Sequence, residues 1–371
     1  MSAAHRSEAV SAAQLRRWTL ARQHLIEPAT MSVVDLTEHL VGLQAQTPWS
    51  WYAGFHARQH PADAEEISSY LGEKHLVRMS SLRATIHLMT PRDAVSLRAM
   101  TQPVHDRTLA SSFGRELAGV GLDAVTAAAG ELLAERPMTL KDLGGQLSRT
   151  WPDTSPSALA MVARYRLPLV QLPPRGLWRQ SGPIAYATLE QWLGNSPEPG
   201  LSITDYILRY LAAYGPATVM DFQAWAGITK TRPHFDKLAD DLITFRDERG
   251  QRLYDLPQAP RPTDARALPV RLLYDYDNLL LAYKDRSRFI TEPYAARQRE
   301  MDGVTAQAVL VNGITAGTWR HSTDEGTSRI DIVLIESVNR RVLDLLRTQA
   351  WNLARWLDPS CDVLISISDS R

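Results

Sequence analysis

Apolar residues recur along this chain with two different periods, and the changes of period divide it into segments. Over residues 12–26 (AAQLRRWTLARQHLI) and 32–44 (SVVDLTEHLVGLQ) the spacing predicts two helices, the second with Leu36, Leu40 and Leu43 facing a core. Ser32 followed by Asp35 resembles a capping box with aspartate in place of glutamate. A third helix is predicted over 64–72, and HLVRMSSLRATIHLMT, residues 75–90, then reads as strands, with Arg83 and His87 on one strand face. The order of helices followed by a hairpin recurs from 122 to 193: a helix over 123–135, a short one capped by Thr139 in MTLKDLGGQL, a third opened at Ser155, and strand-like runs flanking a Pro/Gly turn in LVQLPPRGLWRQSGPIAYATL. It recurs again from 202 to 256 as SITDYILRYLAAYG, ATVMDFQAWAG, TRPHFDKLADDLITF and the hairpin-like ITFRDERGQRLYDL. MTLKDLGGQL and ATVMDFQAWAG match best, carrying Asp142 and Asp221 ahead of a glycine turn, as a helix-turn-helix with a β-wing requires.

The proline-rich PQAPRPTDARALP, residues 257–269, marks a boundary. Beyond it β-branched residues cluster around the hairpin dipeptide Asn312-Gly313, a helix is predicted from Asn339 to Trp356, and CDVLISIS reads as a strand. The predicted class is α+β. Three tandem winged helices are expected at 1–118, 119–199 and 200–260, and a β-rich unit, read as a partial barrel bearing one helix, at 261–371. The repeat is degenerate, and a generic mixed helical domain fits the same pattern.

Composition narrows the class. The 371 residues, 44% hydrophobic and 22% charged, are enough for two or three packed units. MSAAHRSEAV is charged, lacks the apolar stretch of a secretory segment, and no later window approaches ~18 uninterrupted apolar residues, so a soluble cytoplasmic protein without a membrane partner is expected. The single cysteine, Cys361, excludes an internal disulfide and a cysteine-based zinc site. His56 and His60 have the spacing of a helical metal site but no acidic or cysteine ligand beside them, and Pro61 follows, so no metal is expected. The 41 basic residues balance 41 acidic ones, which argues against a non-specific polyelectrolyte and leaves a DNA enzyme open. Lysine occurs only at positions 74, 141, 230, 237 and 284; a GC-rich genome explains this first, although arginine's planar fork also suits phosphate.

Gln44 and Gln46 stand just before Pro48. Two residues apart on a helix they point to nearly opposite sides. Pro48 disfavours helix at Thr47, however, so the chain is predicted to unwind near Gln44 and become extended, where both amides share a face and Ala45 packs inward. From spacing alone the favoured reading is a helix-end Gln44 and a solvated Gln46. Trp49, Trp51, Tyr52 and Phe55 form either core or a stacking platform for a nucleobase.

Five blocks, LARQHLIEP, EHLVGLQAQTPWSWYAGFHAR, SLRATIHLMTPRDA, YDNLLLAYKDRSRFI and VNGITAGTWR, resemble in order the characteristic segments of the AlkZ/YcaQ-like winged-helix DNA glycosylases of bacteria, over nearly the whole chain. The resemblance implies tandem winged helices and a β-rich unit curved around double-stranded DNA, acting as a monomer without cofactor. It places a catalytic glutamine–apolar–glutamine motif at Gln44, Ala45 and Gln46, the pattern of the AlkZ-like subgroup, which is linked to self-resistance against DNA-alkylating natural products such as azinomycin and hedamycin. Tyr283 departs from it, standing where a histidine is expected. No lysine matches a Schiff-base position, so strand-nicking lyase chemistry is not implied.

A glutamine amide is no general base near neutral pH, so the reaction must have an easy leaving group. An N7-alkylated purine is cationic and discharges when its glycosidic bond breaks. The amides then need only hold a water and stabilise an oxocarbenium-like centre. Gln46 is assigned to the water, Gln44 to the sugar or the same water. DNA contacts are expected from Lys284, Arg286 and Arg288 in KDRSR, from Lys230 and Arg232 at a turn before a recognition-type helix, from Arg320 and His321 at a hairpin tip, and from Arg83. His87 is a core histidine or a DNA contact. The competing reading is a winged-helix protein that binds DNA without catalysis, as a regulator or an adduct-sequestering protein.

Overall fold

The computed structural model describes residues 9–195, 200–264, 266–300 and 306–369, so most of the N-terminal MSAAHRSEAV segment lies outside the described residues. The chain is a mixed α+β fold with three sheets. Its first helix, Ala12–Arg22, is opened by a capping box between Ser11 and Gln14. The second, Val33–His39, starts on the Ser32 cap but ends well before Gln44, where the sequence pattern would carry it. Val41 and Gly42 take φ of 56° and 85° and turn the chain out of the helix into the strand Leu43–Gln44. At position 42 a side chain is excluded as well as strained, since a Cβ would stand 2.7 Å from the Leu88 carbonyl oxygen.

Helix Ala64–Gly72 leads into the hairpin Val77–Ser80 and Ile86–Met89. Arg83 does not share a strand face with His87. It lies in the tight turn Leu82–Ala84 with φ 55°, because the hairpin reverses there through a Ser81 N–H to Thr85 carbonyl bond of 3.0 Å. A 23-residue helix, Pro91–Phe113, follows, which the sequence pattern did not announce.

The second segment has helices Leu122–Glu135, Leu140–Leu147 and Pro156–Arg166, then strands Leu169–Gln171 and Ala185–Thr188. The third repeats the order with Ile203–Tyr214, Val219–Ala226, Arg232–Lys237 and the hairpin Ile243–Asp247 with Arg252–Asp255. Thr139 and Thr218 cap equivalent helices, each accepting from the backbone of the aspartate three residues on.

The first two segments share one antiparallel sheet of six strands, in the order Leu43–Gln44, Ile86–Met89, Val77–Ser80, Leu169–Gln171, Ala185–Thr188, Met138–Thr139. The third hairpin instead pairs in parallel with Ala9–Val10, so these two residues pack on the third segment. The Arg22 guanidinium seals that join, bidentate to the buried Asp255 at 2.6 and 2.9 Å. A five-stranded sheet of Arg271–Leu273, Gln307–Val311, Ile314–Asp324, Thr327–Leu334 and Asp362–Asp369 ends the chain. Its last two strands are parallel, and helix Arg340–Leu357, capped by Asn339, makes the crossover. Asn312 and Gly313, at φ 49° and 78°, close the expected turn.

Trp51, Tyr52 and Phe55 are fully buried in a core shared with Leu272, Val309, Ile330 and Leu346 of the C-terminal unit. Arg58 locks this junction, donating to both Asp277 oxygens at 2.9 and 2.7 Å. Both partners are buried, and breaking such a pair costs about 3–5 kcal/mol. The segment bearing the two glutamines is thus held between the six-stranded sheet and the C-terminal unit. No helix among the described residues is long and apolar enough to cross a membrane.

Candidate active site

Gln44 pairs with His87 across the sheet edge, and the backbone beyond it stays extended: the Ala45 N–H donates to the Ile86 carbonyl at 2.8 Å. Ala45 itself is fully buried, and Arg78 donates to its carbonyl at 2.9 Å. The tripeptide is therefore clamped on both sides of its middle residue. Gln44 is buried and its amide oxygen accepts from Arg83 Nη2 at 2.7 Å. Gln46 is exposed, and its amide oxygen accepts from the Ile86 N–H at 3.2 Å. Both glutamines reach the same reversal, residues 82–86. Among the described residues the Gln46 amide nitrogen has no partner.

Arg83 joins this reversal to the third segment. Its other terminal nitrogen donates to the Trp225 carbonyl, at the end of helix Val219–Ala226. The chain there approaches so closely that a Cβ on Gly227, φ 78°, would stand 3.0 Å from the Arg83 Cα. Burial pushes the Arg83 guanidinium down to about 10, and the charge of Arg286 acts in the same direction. His87 is buried, its Nδ1 bonded to the Thr85 carbonyl at 3.0 Å and its Nε2 unpartnered. Burial first, then the Arg83 charge, lowers its pKa to about 3, so the ring is neutral at physiological pH.

The other cations fall into two groups. The Lys284 N–H donates to Asp221 Oδ1 at 2.9 Å, which docks the KDRSR run onto the helix whose far end holds Arg83. The Lys284 and Arg286 side chains are exposed. Arg288 is committed, donating to the Pro216 carbonyl at 3.0 Å with its guanidinium 4.3 Å from the Tyr283 ring centre. Tyr283 is buried and donates its hydroxyl to the Tyr214 carbonyl at 2.7 Å. Lys230 is exposed with φ 62°, and Arg232 opens the next helix and donates to the Tyr254 hydroxyl at 2.8 Å. These lie on the elements around Arg83.

Arg320 and His321 form the second group, and they are not at a hairpin tip. They pair with Asp331 and Ile330 within the sheet, because the strand continues to Asp324 and turns only at Glu325-Gly326. His321 Nε2 sits 2.8 Å from Asp358 Oδ2 and 3.0 Å from Ser328 Oγ.

Three contributors escaped the sequence reading. Thr47 donates its hydroxyl to Asp275, whose second oxygen is buried without a partner, and Arg78 holds Ala45 from the neighbouring strand. Thr47 and Asp275 are 228 positions apart, so no local pattern links them.

A family model described as DNA glycosylase AlkZ-like matches residues 37–356, a span that contains Gln44, Gln46, Arg83, Arg286 and Asp275. The chain belongs to the AlkZ-like DNA glycosylase family. It is accordingly a DNA glycosylase, an enzyme of DNA repair. This AlkZ-like enzyme is 28% identical over 334 residues, 82% of its chain and 86% of the other protein, to the interstrand DNA cross-link repair glycosylase of Streptomyces sahachiroi. The solved structure of Streptomyces sahachiroi DNA glycosylase AlkZ shares its fold with a TM-score of 0.76 at 21% identity, covering 97% of this chain and all of that one.

Proposed function

We propose that this AlkZ-like enzyme is a monofunctional glycosylase that hydrolyses the N-glycosidic bond of N7-alkylated purines in double-stranded DNA, including bulky natural-product adducts and interstrand crosslinks. The observation that carries the reading is the chemistry of the glutamine pair: one amide buried and charge-anchored, the next exposed, with a neutral His87 behind them and no ionisable side chain among their hydrogen-bond partners except Arg83. The two amides offer orientation and dipoles but no proton donor or acceptor matched to neutral pH, and the nearby Asp275 carboxylate is engaged by the Thr47 hydroxyl rather than by either glutamine. A leaving group that is already cationic suits it.

In the reaction water oxygen bonds to C1′ as the C1′–N9 bond breaks. The electron pair of that bond goes to the purine and neutralises its charge, and the proton released by water goes to solvent. Gln46 orients the water, and Gln44, held by Arg83, faces the sugar or the same water. The three helix-and-hairpin segments at 1–118, 119–199 and 200–260 act as winged helices on duplex DNA, with the β-rich unit at 261–371 beside them. Lys230, Arg232, Lys284, Arg286, Arg320 and His321 are the proposed DNA contacts, whereas Arg83 and Arg288, first expected among them, act through the protein groups they already hold. The enzyme works as a cytoplasmic monomer and needs no cofactor.

Selectivity tests this reading. Single-turnover excision is measured from identical duplexes holding N7-methylguanine, uracil or 8-oxoguanine. The cationic lesion is expected to leave at least ~100-fold faster, the low end of what acid–base assistance contributes. Comparable rates overturn the glutamine mechanism, and tight binding without base release favours the binding-only protein.

A further inference from the structure

Beside the glutamine motif lies an open cavity of about 370 Å³. Thr47, the residue after Gln46, forms one edge, and Trp49 forms the next part of the wall. Trp178 enters from the loop between the last two strands of the second segment, and Trp319 from the C-terminal sheet. We infer that this cavity receives a planar aromatic group carried on the alkyl part of the lesion, and that Trp49 sets the enzyme's preference for lesions that bear one. The inference rests on the N7-alkylpurine reading above.

Three indoles from three separate parts of the chain meet here, and two have their N–H groups occupied. Trp49 donates to the Gln180 carbonyl at 3.2 Å and Trp319 to the Leu273 carbonyl at 2.8 Å. Trp319 is almost fully buried and forms the floor, so what the wall presents to a ligand is chiefly the ring surface of Trp49 and Trp178 rather than hydrogen-bond donors. Trp178 is braced from behind, its ring centre 4.8 Å from that of Tyr52 and 5.4 Å from that of Trp356. The wall is preorganised, which limits the ordering cost of binding.

The charged groups of the rim are paired with one another. Arg179 donates to Asp358 Oδ1 at 3.1 Å, and His321 lies 2.8 Å from the other oxygen of that carboxylate. Both basic side chains of the rim are thus engaged by one carboxylate, and the indoles supply the flat apolar surface of the wall.

Trp49 is the odd member of its own cluster. Trp51, Tyr52 and Phe55 are fully buried, whereas Trp49 is 41% exposed. It stands three residues from Gln46, a reach of at most roughly 10 Å along the chain. A substituent on a base held at Gln46 thus has no more than about that distance to span along the chain to meet Trp49. The volume is in the range of ~300–1,000 Å³ typical of sites for whole small molecules, far more than a methyl group needs.

The test compares wild type, W49A and W49F in single-turnover excision from duplexes containing N7-methylguanine or N7-(naphthylmethyl)guanine. The ratio of the naphthylmethyl rate to the methyl rate is expected to fall about tenfold in W49A, the loss of one stacking partner, and to be largely regained in W49F. Thermal unfolding of both variants checks that each is folded. A ratio that is the same in all three proteins overturns the subsite while leaving the glycosylase reading intact. A folded wild-type enzyme that releases neither base overturns the proposed function, and the subsite with it.

Discussion

Arg83 donates to the side-chain oxygen of Gln44 at 2.7 Å from within a hairpin turn, although the two residues are 39 positions apart. The same guanidinium reaches the Trp225 carbonyl, so a single side chain fixes the buried glutamine against two segments. A non-glycine residue is held at φ 55° to achieve this, a conformation that persists where surrounding contacts over-determine it. Arg83→Gln should lower the single-turnover excision rate by about 100-fold through misplacement of Gln44. Its DNA affinity and the salt dependence of that affinity should stay close to wild type. A phosphate contact would instead flatten the plot of log affinity against log salt by about 0.9.

Lys284, Arg286 and Lys230 behave oppositely in this account. They are exposed around Arg83 and sit outside the glutamine network. The triple alanine variant should weaken duplex binding and flatten the salt slope by roughly 2–3, at about 0.9 per lost phosphate contact. Its excision rate at saturating protein should change little. An unchanged salt slope would remove these residues from the DNA interface.

Stability should fall on acidification. Burial is the leading cause that lowers His24, His56 and His105 to about 4 and His87 to about 3. Between these values and the ordinary 6.5 the unfolded chain binds more protons than the folded one. The stability conferred by keeping these rings neutral is thus complete above pH 6.5 and is lost as pH falls toward 4, by up to about 1.4 kcal/mol per pH unit for the fully buried His87 and His105 and by less for the half-buried His24. Urea unfolding at intervals from pH 7 to pH 5 should show a falling midpoint, and His87→Asn should make that fall shallower. A midpoint independent of pH would contradict the burial of these rings.

Excision should not depend on a metal ion. The groups bonded to Gln44 and Gln46 are an arginine and a backbone N–H, which do not ligate a divalent ion, and beside the single carboxylate of Asp275 no cluster of three potential metal ligands occurs among the described residues. Rates with and without EDTA should agree, and a loss reversed by zinc or magnesium would point to a site elsewhere.

Much of this arrangement was legible in the sequence wherever local chemistry decides it. Caps at Ser32, Thr139 and Asn339 and the Asn312-Gly313 turn lie where residue type alone puts them. Helix Ala64–Gly72 was readable to its ends for the same reason. Helix Pro91–Phe113 was not, because Arg98, His105 and Thr101 are buried among its apolar positions and Pro103 interrupts them. Its start was still marked by Thr90, Pro91 and Asp93. The extended run through Gln44 and Gln46 follows from Pro48 and from Gly42, whose left-handed φ ends the helix early. What anchors the glutamines does not follow from local pattern. Arg83, Trp225 and Asp275 reach the motif only through tertiary packing, and the placement of Arg83 on a strand failed because a tight reversal looks like alternation over so few residues.

The central claim is that Gln46 performs the excision step while contributing little to the fold. Gln46→Ala removes an exposed side chain with one hydrogen bond, a stability loss of about 0.5–1.5 kcal/mol. The decisive measurement is the single-turnover release of N7-methylguanine from duplex DNA, scored as alkali-induced strand breaks at the lesion, by wild type and by folded Gln46→Ala. The account predicts rapid breakage with the wild type and a rate at least ~100-fold lower with the variant, comparable to removing one preorganised dipole from a reaction centre. A folded variant that excises at the wild-type rate would place the chemistry somewhere other than the glutamine pair.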